Sequence, residues 1–292
     1  MTAVVPSVAV QTKASVAAVC RVLKVSRSSV YAHRRKRGSA RAKNNQSLDV
    51  AIKAAFAASK RRYGSPRIHQ SLVREGTHVG RHRVASRMRA LGLQARRPKR
   101  FRRTTQANPA HVPAPNTLAR RFDGWKPNEA WVADITYLWT HAGWVYLAII
   151  VDLGSRAIAG WSVGAHCDTA LALRALDAAV AHRQPKSGLL HHSDRGSTYT
   201  AHEYRARLRA LGFECSMSRK GNCWDNAVAE SVNGMIKTEL FEDSIPRDID
   251  DVKHQLFTYI EVFYNRQRLH SSLGYITPAE KEALARREPM AA

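Results

Sequence analysis

The chain has 292 residues, 44% of them hydrophobic, enough for two or three domains and at least one full-sized core. Its 47 Lys and Arg against 23 Asp and Glu leave a formal net charge of +24, a field that draws polyanions, nucleic acid first and an anionic membrane surface second. The longest strongly apolar run, Trp144 to Val151, is too short to cross a bilayer. The N-terminus carries no basic segment of a secretory signal, and Cys20, Cys167, Cys215 and Cys223 form no CxxC pair, which points to reduced thiols in a cytosolic protein rather than to a disulfide framework or a zinc knuckle.

In residues 13 to 36, Val16, Val19, Cys20 and Leu23 recur at helical spacing, Lys24-Val25 turns the chain, and Ser26 can cap a second helix through Val30 and Tyr31. Two short helices on a tight turn suggest a helix-turn-helix in residues 1–43, its second helix opening with Arg27 and Ser28 toward a major groove. A plain helical scaffold is the alternative. A second helical block, residues 44–103, places Leu48, Ile52 and Phe56 on one helix. Pro66 opens the next, with Ile68, Leu72 and Val73, and a third runs from Arg81 to Leu91, with Val84, Met88 and Leu91 inward and Arg81, Arg83, Arg87 and Arg89 mostly outward. From Lys60 to Arg103 there are fifteen Lys or Arg and one acid, Glu75; so unbalanced a folding segment repels itself unless phosphates neutralise it. Arg96, Arg97, Lys99 and Arg100 read as an arm along DNA. Residues 104–128, with Pro109, Pro113, Pro115 and Pro127, read as a semi-extended linker, and Trp125 as able to dock on the domain after it.

From Ala130 the pattern turns to strands. Trp131–Trp139, Trp144–Leu153 and Ala157–Val163, joined by short turns, predict an antiparallel meander. Next come a helix over Thr169–Arg183, a short strand over Gly188–His192, a helix opened by a capping box at Thr200–Glu203, a strand over Phe213–Ser216, a helix from about Asp225, capped by Asp225 or Asn226, and a last helix over Asp248–Asn265. The order predicts an α/β mixed sheet with flanking helices over residues 129–283, with 284–292 as a tail.

On the helix after Asp225, Val228, Val232, Met235 and Ile236 form a stripe for the core, and Glu230 and Lys237 share a line on the opposite side. Two turns, about 10.5 Å, separate them, too far for an ion pair but suited to a carboxylate on a metal and an ammonium on a nearby phosphate. Asp134 interrupts an apolar strand, where an unpaired carboxylate is costly. Asp194 directly follows the strand ending at His192. Each alone reads as a turn or strand-edge acid. If the two strands are neighbours, both acids emerge at one sheet edge, and the helix of Glu230 can lie across it. Three converging carboxylates require a cation, and hard oxygen donors suit Mg²⁺ or Mn²⁺, two ions bracketing a phosphodiester. His191 and His192 read as structural, Asp152 as a turn residue, and Trp224 and Asn226 as loop-shaping or DNA-touching.

The stretches WVADITYLWT, HHSDRGSTYT, GNCWDNAVAESVNGMIKTEL and YNRQRLHSSLGYITPAE, with RRYGSPRIHQSL in the helical block, resemble bacterial insertion-sequence transposases of the OrfB type with a retroviral-integrase-like (DDE) core. The resemblance covers nearly the whole chain. It implies a ribonuclease-H-like fold preceded by all-α DNA-binding domains, with Asp134, Asp194 and Glu230 as the catalytic acids and metal ligands and Lys237 as a contact to DNA near the element end. It further implies binding of the terminal inverted repeats and target as double-stranded DNA and an upstream-frame (OrfA type) partner or fusion, and the geometry of joining two ends implies at least a dimer, a homo-oligomer on DNA. The expected location is cytoplasmic, with the nucleoid and without a membrane. In the scheme this suggests, Asp134 bridges two ions, Asp194 and Glu230 each hold one, an activated water cuts one strand, and the freed 3′-OH attacks a second phosphodiester without a covalent protein intermediate. Two alternatives share the acids or the basic half: a metal-dependent nuclease on the same fold, and a catalytically inert DNA-binding regulator.

Overall fold

The structure is a computed structural model that describes residues 4–37, 40–96 and 113–287. It divides into two compact units, one ending at Ala95 and the other starting at Arg96.

The first unit is helical. α1 (Val5–Gln11) is an element that the sequence does not announce; Val5 and Ala9 bury against Val19 and Cys20 of α2 (Val16–Val22) and Val30 of α3 (Arg27–Arg37). Ser15 Oγ accepts the N–H of Ala18, and Ser26 Oγ accepts that of Ser29, so both helices of the predicted hairpin are capped as serines cap. α4 (Ala40–Ala58) buries Leu48, Ile52 and Phe56; α5 (Ser65–Arg74), with Pro66 in its first turn, buries Ile68 and Leu72 but leaves Val73 exposed; α6 (Arg81–Ala90) buries Val84 and Met88.

The second unit is built on five strands: β1 (Ala130–Thr140), β2 (Gly143–Asp152), β3 (Ile158–Gly164), β4 (Leu190–Ser193) and β5 (Glu214–Met217). They lie in the order β3-β2-β1-β4-β5, with β1–β2 and β2–β3 antiparallel and β1–β4 and β4–β5 parallel. That order and sense make the mixed sheet ribonuclease-H-like. One face holds Val132, Leu147, Ile149 and Val151 against α10 (Ala227–Phe241), α11 (Ile249–Phe257) and the π-helical turn Thr258–Tyr264. The other holds Trp131, Ala133, Ala148 and Ile150 against α7 (Thr169–Arg183), the short α8 (Ser197–Thr200) and α9 (His202–Ala210). Gly160 of β3 permits this packing, since a Cβ there would lie 2.5 Å from Ala175 O and Ala179 N of α7.

Three expectations need correcting. The capping box at Thr200 does not form: Thr200 ends α8, its hydroxyl donates back to Gly196 O, and α9 starts after Ala201 with no side-chain cap. The segment expected to be a linker belongs to the core from residue 113 on. Ala114 and Leu118 are buried, Met217 N donates to Pro115 O, and Trp125 packs on the α10 side of the sheet. The chain also goes past the predicted last helix. Asn265 donates to and accepts from the backbone of Ile158, occupying the edge of β3, and α12 (Pro278–Arg287) follows, opened by a real capping box in which Glu280 N donates to Thr277 Oγ1 and Thr277 N to Glu280 Oε2.

Candidate active site

Asp134 lies mid-strand in β1. The β1–β4 ladder pairs Ala130 with Leu190, Trp131 with His191 and Val132 with His192; continued along both chains, that register sets Asp194 level with Asp134. The pairing ends before the acids, because the chain leaves β4 after Ser193 and turns with Gly196 N donating to Asp194 Oδ1 at 2.9 Å. Strand pairing thus brings two acids, distant in sequence, to one sheet edge. The histidines before Asp194 are structural: buried His191 shares a hydrogen bond with Tyr204 Oη, and buried His192 bonds Ser216 and Ser218 through its two ring nitrogens. Burial pushes their pKa values down to about 3 and about 4, so both rings stay neutral near pH 7.

The third acid comes in on α10, and the loop ahead of that helix is tightly held. Asp225 sits in a 3₁₀ turn, Cys223–Asn226, with its carboxylate enclosed. It accepts from the backbone N, Nε and Nη2 of Arg219, from Nε of Arg120 and from Nδ2 of Asn116, and these donors hold its pKa well below the usual carboxylate range. Asp225 is therefore a strut rather than a helix cap. Asn226 does occupy the N-cap position, yet its side chain turns inward and donates to Ala133 O at 3.0 Å, tying the helix start to the residue before Asp134. Glu230 follows in the first turn of α10 and is half-buried. One turn on, buried Asn233 donates to Asp134 Oδ2 at 2.8 Å. Reasoning from the sequence misses Asn233, although its spacing of three from Glu230 puts both on one helix face.

Asp134 feels the charge of both other acids. The Asp134 carboxyl is pushed up to about 8, first by burial, then by the charge of Asp194, and further by that of Glu230; the hydrogen bond from Asn233 works in the opposite direction. The Cys167 thiol stands close enough that Asp194 and Asp134 help burial to raise it. Lys237 is not on a solvated face: its ammonium lies 4.5 Å from the centre of the Tyr137 ring of β1, and burial lowers its pKa against the pull of Asp134. α10 lies across the sheet edge, so the side opposite its apolar stripe meets β1. As the side chains stand, no three acidic, His or Cys groups among the described residues close tightly enough to cage an ion. The donor set itself, three carboxylates of which two raise the proton affinity of Asp134, fits a hard divalent cation.

Models of an integrase core domain match residues 125–223 and 211–278, and a model of an HTH-like domain matches residues 43–101. An insertion element IS600 31 kDa protein of Shigella sonnei is 40% identical over 261 residues, 89% of this chain and 96% of that protein. The InsF transposase of insertion sequence IS3A in Escherichia coli is 38% identical over 276 residues, 93% of this chain and 95% of the relative. The chain belongs to the insertion-sequence transposases. Among solved structures, a simian T-cell lymphotropic virus intasome with the PP2A subunit B56 gamma aligns over 72% of this chain and 73% of its own at 20% identity and TM-score 0.47, and a magnesium complex of the HTLV-2 integrase catalytic core over 55% and 99% at 19% and 0.43.

The HTH-like match of the transposase falls on α4 to α6, not on the α2–α3 pair whose spacing suggests a helix-turn-helix. Arg27 and Ser28 are exposed at the start of α3, and Arg81 at the start of α6. Arg83 and Arg87 are engaged by α4: Arg83 donates to Asn45 Oδ1, and Arg87 makes a two-pronged pair with Asp49 at 2.6 and 2.7 Å. The outward reading of Arg87 is thus corrected, because a lone carboxylate facing a guanidinium across two packed helices captures it. Arg96 is no free arm residue either. Its guanidinium donates to Glu239 O and pairs with Asp243, drawn by the carbonyls and acid at the C-terminal end of α10. Arg97, Lys99 and Arg100 lie outside the described residues. No helix among the described residues is long and apolar enough to cross a membrane.

Proposed function

We propose that this transposase cuts and joins DNA at the ends of its element with Asp134, Asp194 and Glu230 as the catalytic acids. The observation that carries this reading is Asp134, whose proton affinity is raised by its own burial and by the two other acids. Two divalent ions, Mg²⁺ or Mn²⁺, held by Asp134 with Asp194 and by Asp134 with Glu230, would supply Lewis-acid activation of the attacking oxygen and charge relief for the leaving one. The protein's part is positioning. Asn233 fixes one oxygen of Asp134, and the turn Asp194–Gly196 fixes the second acid. Asn226 anchors the start of α10, the helix that carries Glu230. Such preorganisation lowers the barrier without any group of the chain bonding to the DNA. Lys237 holds a phosphate beside this centre. Arg27, Ser28 and Arg81 contact the duplex of the terminal repeats, with Arg97, Lys99 and Arg100 reading as further phosphate contacts. Joining two ends requires at least two copies on DNA, and an upstream-frame protein of the OrfA type is the expected partner.

The test is a cutting and strand-joining assay on DNA carrying the element's ends. Asp134→Asn, Asp194→Asn and Glu230→Gln should each abolish both products while salt-dependent DNA binding persists. Normal cutting and joining by Asp134→Asn would sink the assignment. Cut product that is never joined would favour the plain nuclease, and DNA binding without either product the inert regulator.

A further inference from the structure

The β1–β2 hairpin carries aromatic side chains that the chemistry of the three acids leaves unused. Tyr137 faces Tyr146 across the ladder, and Trp139 faces Trp144 near its end. Cross-strand partners share a face of a sheet. Trp144 meets Tyr137 at 5.1 Å and Trp139 at 4.8 Å between ring centres, both edge to face, yet Trp139 and Trp144 remain 50% and 52% exposed. Their neighbours on the opposite face, Leu138 and Val145, are buried. The indoles are held in a fixed place. The ladder continues to Thr140 and Gly143, Thr140 Oγ1 donates to Gly143 O at 2.8 Å, and at the tip His141 N and Ala142 N donate to Pro246 O and Arg247 O at 3.0 Å each.

The row meets the acids through Lys237, since alternation along β1 sets Asp134 on the face opposite Tyr137 and Trp139. Tyr137 follows Asp134 on the same strand, and its ring carries the Lys237 ammonium. β4 pairs with β1 only as far as Val132, and beyond it α10 approaches this side of β1 through Lys237. At the far end Arg247 is 83% exposed and only loosely drawn to Asp251 at 3.8 Å. Cation, aromatic rings and cation therefore run from the candidate catalytic centre to the hairpin tip. This alternation matches a nucleotide chain, which offers a base face to an indole and a phosphate to a cation. An apolar protein surface would have to strip water from both cations to cover the same rings.

We propose that Trp139 and Trp144 form a stacking platform for an unpaired base of the DNA strand held at the acid centre, with Lys237 and Arg247 on the flanking phosphates. The proposal rests on the reading of Asp134, Asp194 and Glu230 as that centre. The base is unpaired because a base within a duplex has both faces covered by its neighbours, and only a flipped, frayed or overhanging nucleotide offers one to a side chain.

The test uses the full chain in EDTA, so that binding is read without cutting. Fluorescence anisotropy compares a duplex with a short 3′ overhang, the same duplex with abasic sites in the overhang, and a blunt duplex. The wild type should bind the base-bearing overhang about tenfold more tightly than the abasic one. The double variant Trp139→Ala/Trp144→Ala should lose that preference and keep its affinity for the blunt duplex. Trp144→Tyr, which retains a ring, should keep part of the preference and controls for folding. A wild type indifferent to the abasic sites, or a double variant that keeps the preference, overturns the proposal. So does a double variant whose DNA preference is intact but whose oligomer falls apart in sedimentation, because the tip is then a protein interface. Repeating the binding with Asp134→Asn separates the two readings: a preference retained there supports the platform whatever that variant does to cutting.

Discussion

Asn233 donates its side-chain amide to Asp134 Oδ2 across 2.8 Å, from a buried position one turn beyond Glu230. One residue of α10 thereby fixes the strand acid while its helical neighbour supplies another. Removing the donor should let the Asp134 carboxyl rotate without unfolding the chain, since Asn233→Ala takes away little packing. Partners of this kind typically contribute 10–100-fold to metal affinity or activity. Joining by Asn233→Ala should fall by about that factor, with the Mn²⁺ concentration for half-maximal activity shifted upward and the circular dichroism unchanged. Joining at the wild-type rate would show that Asp134 needs no such support.

The crowding of carboxylates around Asp134 also predicts how the chain responds to ions. Without a cation, the ionised form of Asp134 is disfavoured by burial and by the charges of Asp194 and Glu230. Asp134→Asn should therefore raise the melting temperature of the ion-free protein. Mg²⁺ or Mn²⁺ should stabilise the wild type by about 2.7 kcal/mol at a hundred times its dissociation constant, a shift of several degrees, and should barely move the variant. Differential scanning calorimetry with and without EDTA reads both effects. A variant as responsive to Mn²⁺ as the wild type would place the ion elsewhere.

The acids are legible in the sequence because each breaks a local pattern: Asp134 in an apolar strand, Asp194 just after one, Glu230 opposite a helical stripe. Their meeting depends on β1 pairing with β4, a contact between chain segments some sixty residues apart that periodicity cannot supply. Local signals also mislead. Thr200-Ala201-His202-Glu203 and Thr277-Pro278-Ala279-Glu280 both have the spacing of a capping box, but only the second forms one. Glycine at 196 starts a short turn of helix that claims Thr200 first. The segment 113–128 resembles a linker because its prolines hide any period. It is held by single long-range bonds, such as Leu118 N to Ser216 Oγ and Asn116 and Arg120 to Asp225. A helical wheel sets Lys237 opposite the core stripe but cannot show that its ammonium meets the Tyr137 ring of β1.

Asp225 ties that strap to the loop ahead of α10. Its pKa is depressed by Arg219 first, then by Arg120. A carboxyl depressed in the folded state adds stability above its usual value near 3.8, and that contribution is lost as pH falls through the lower folded value. Asp225→Asn should therefore melt below the wild type at pH 7, with the gap closing as the pH drops below about 4. Thermal melts of both proteins from pH 7 to pH 3 test this. A gap that holds constant across the range would mean that shape rather than charge accounts for the loss. The variant should also join DNA more slowly, because the loop that launches α10 is no longer pinned.

The far end of α10 is fixed by an ion pair in the core. Glu239 and Arg268 are 6% and 1% exposed, Arg268 Nη2 donates to Glu239 Oε1 at 2.5 Å, and Tyr259 Oη donates to Oε2 at 2.8 Å. Arg268 comes from the YNRQRLHSSLGY stretch, so the pair joins the helix of Glu230 to the C-terminal segment. Burying two charges is costly, and their attraction does little more than offset it. Removing one partner, however, strands the other. Arg268→Met alone should cost about 3–5 kcal/mol, a fall in melting temperature on the order of 10 °C for a unit of this size. Adding Glu239→Leu should recover most of the loss, although Tyr259 then lacks its acceptor. If the double variant recovers, the pair serves to choose how α10 seats rather than to stabilise the fold, and joining activity should lag behind the regained stability. A double variant as unstable as the single one would instead make the ion pair a net source of stability.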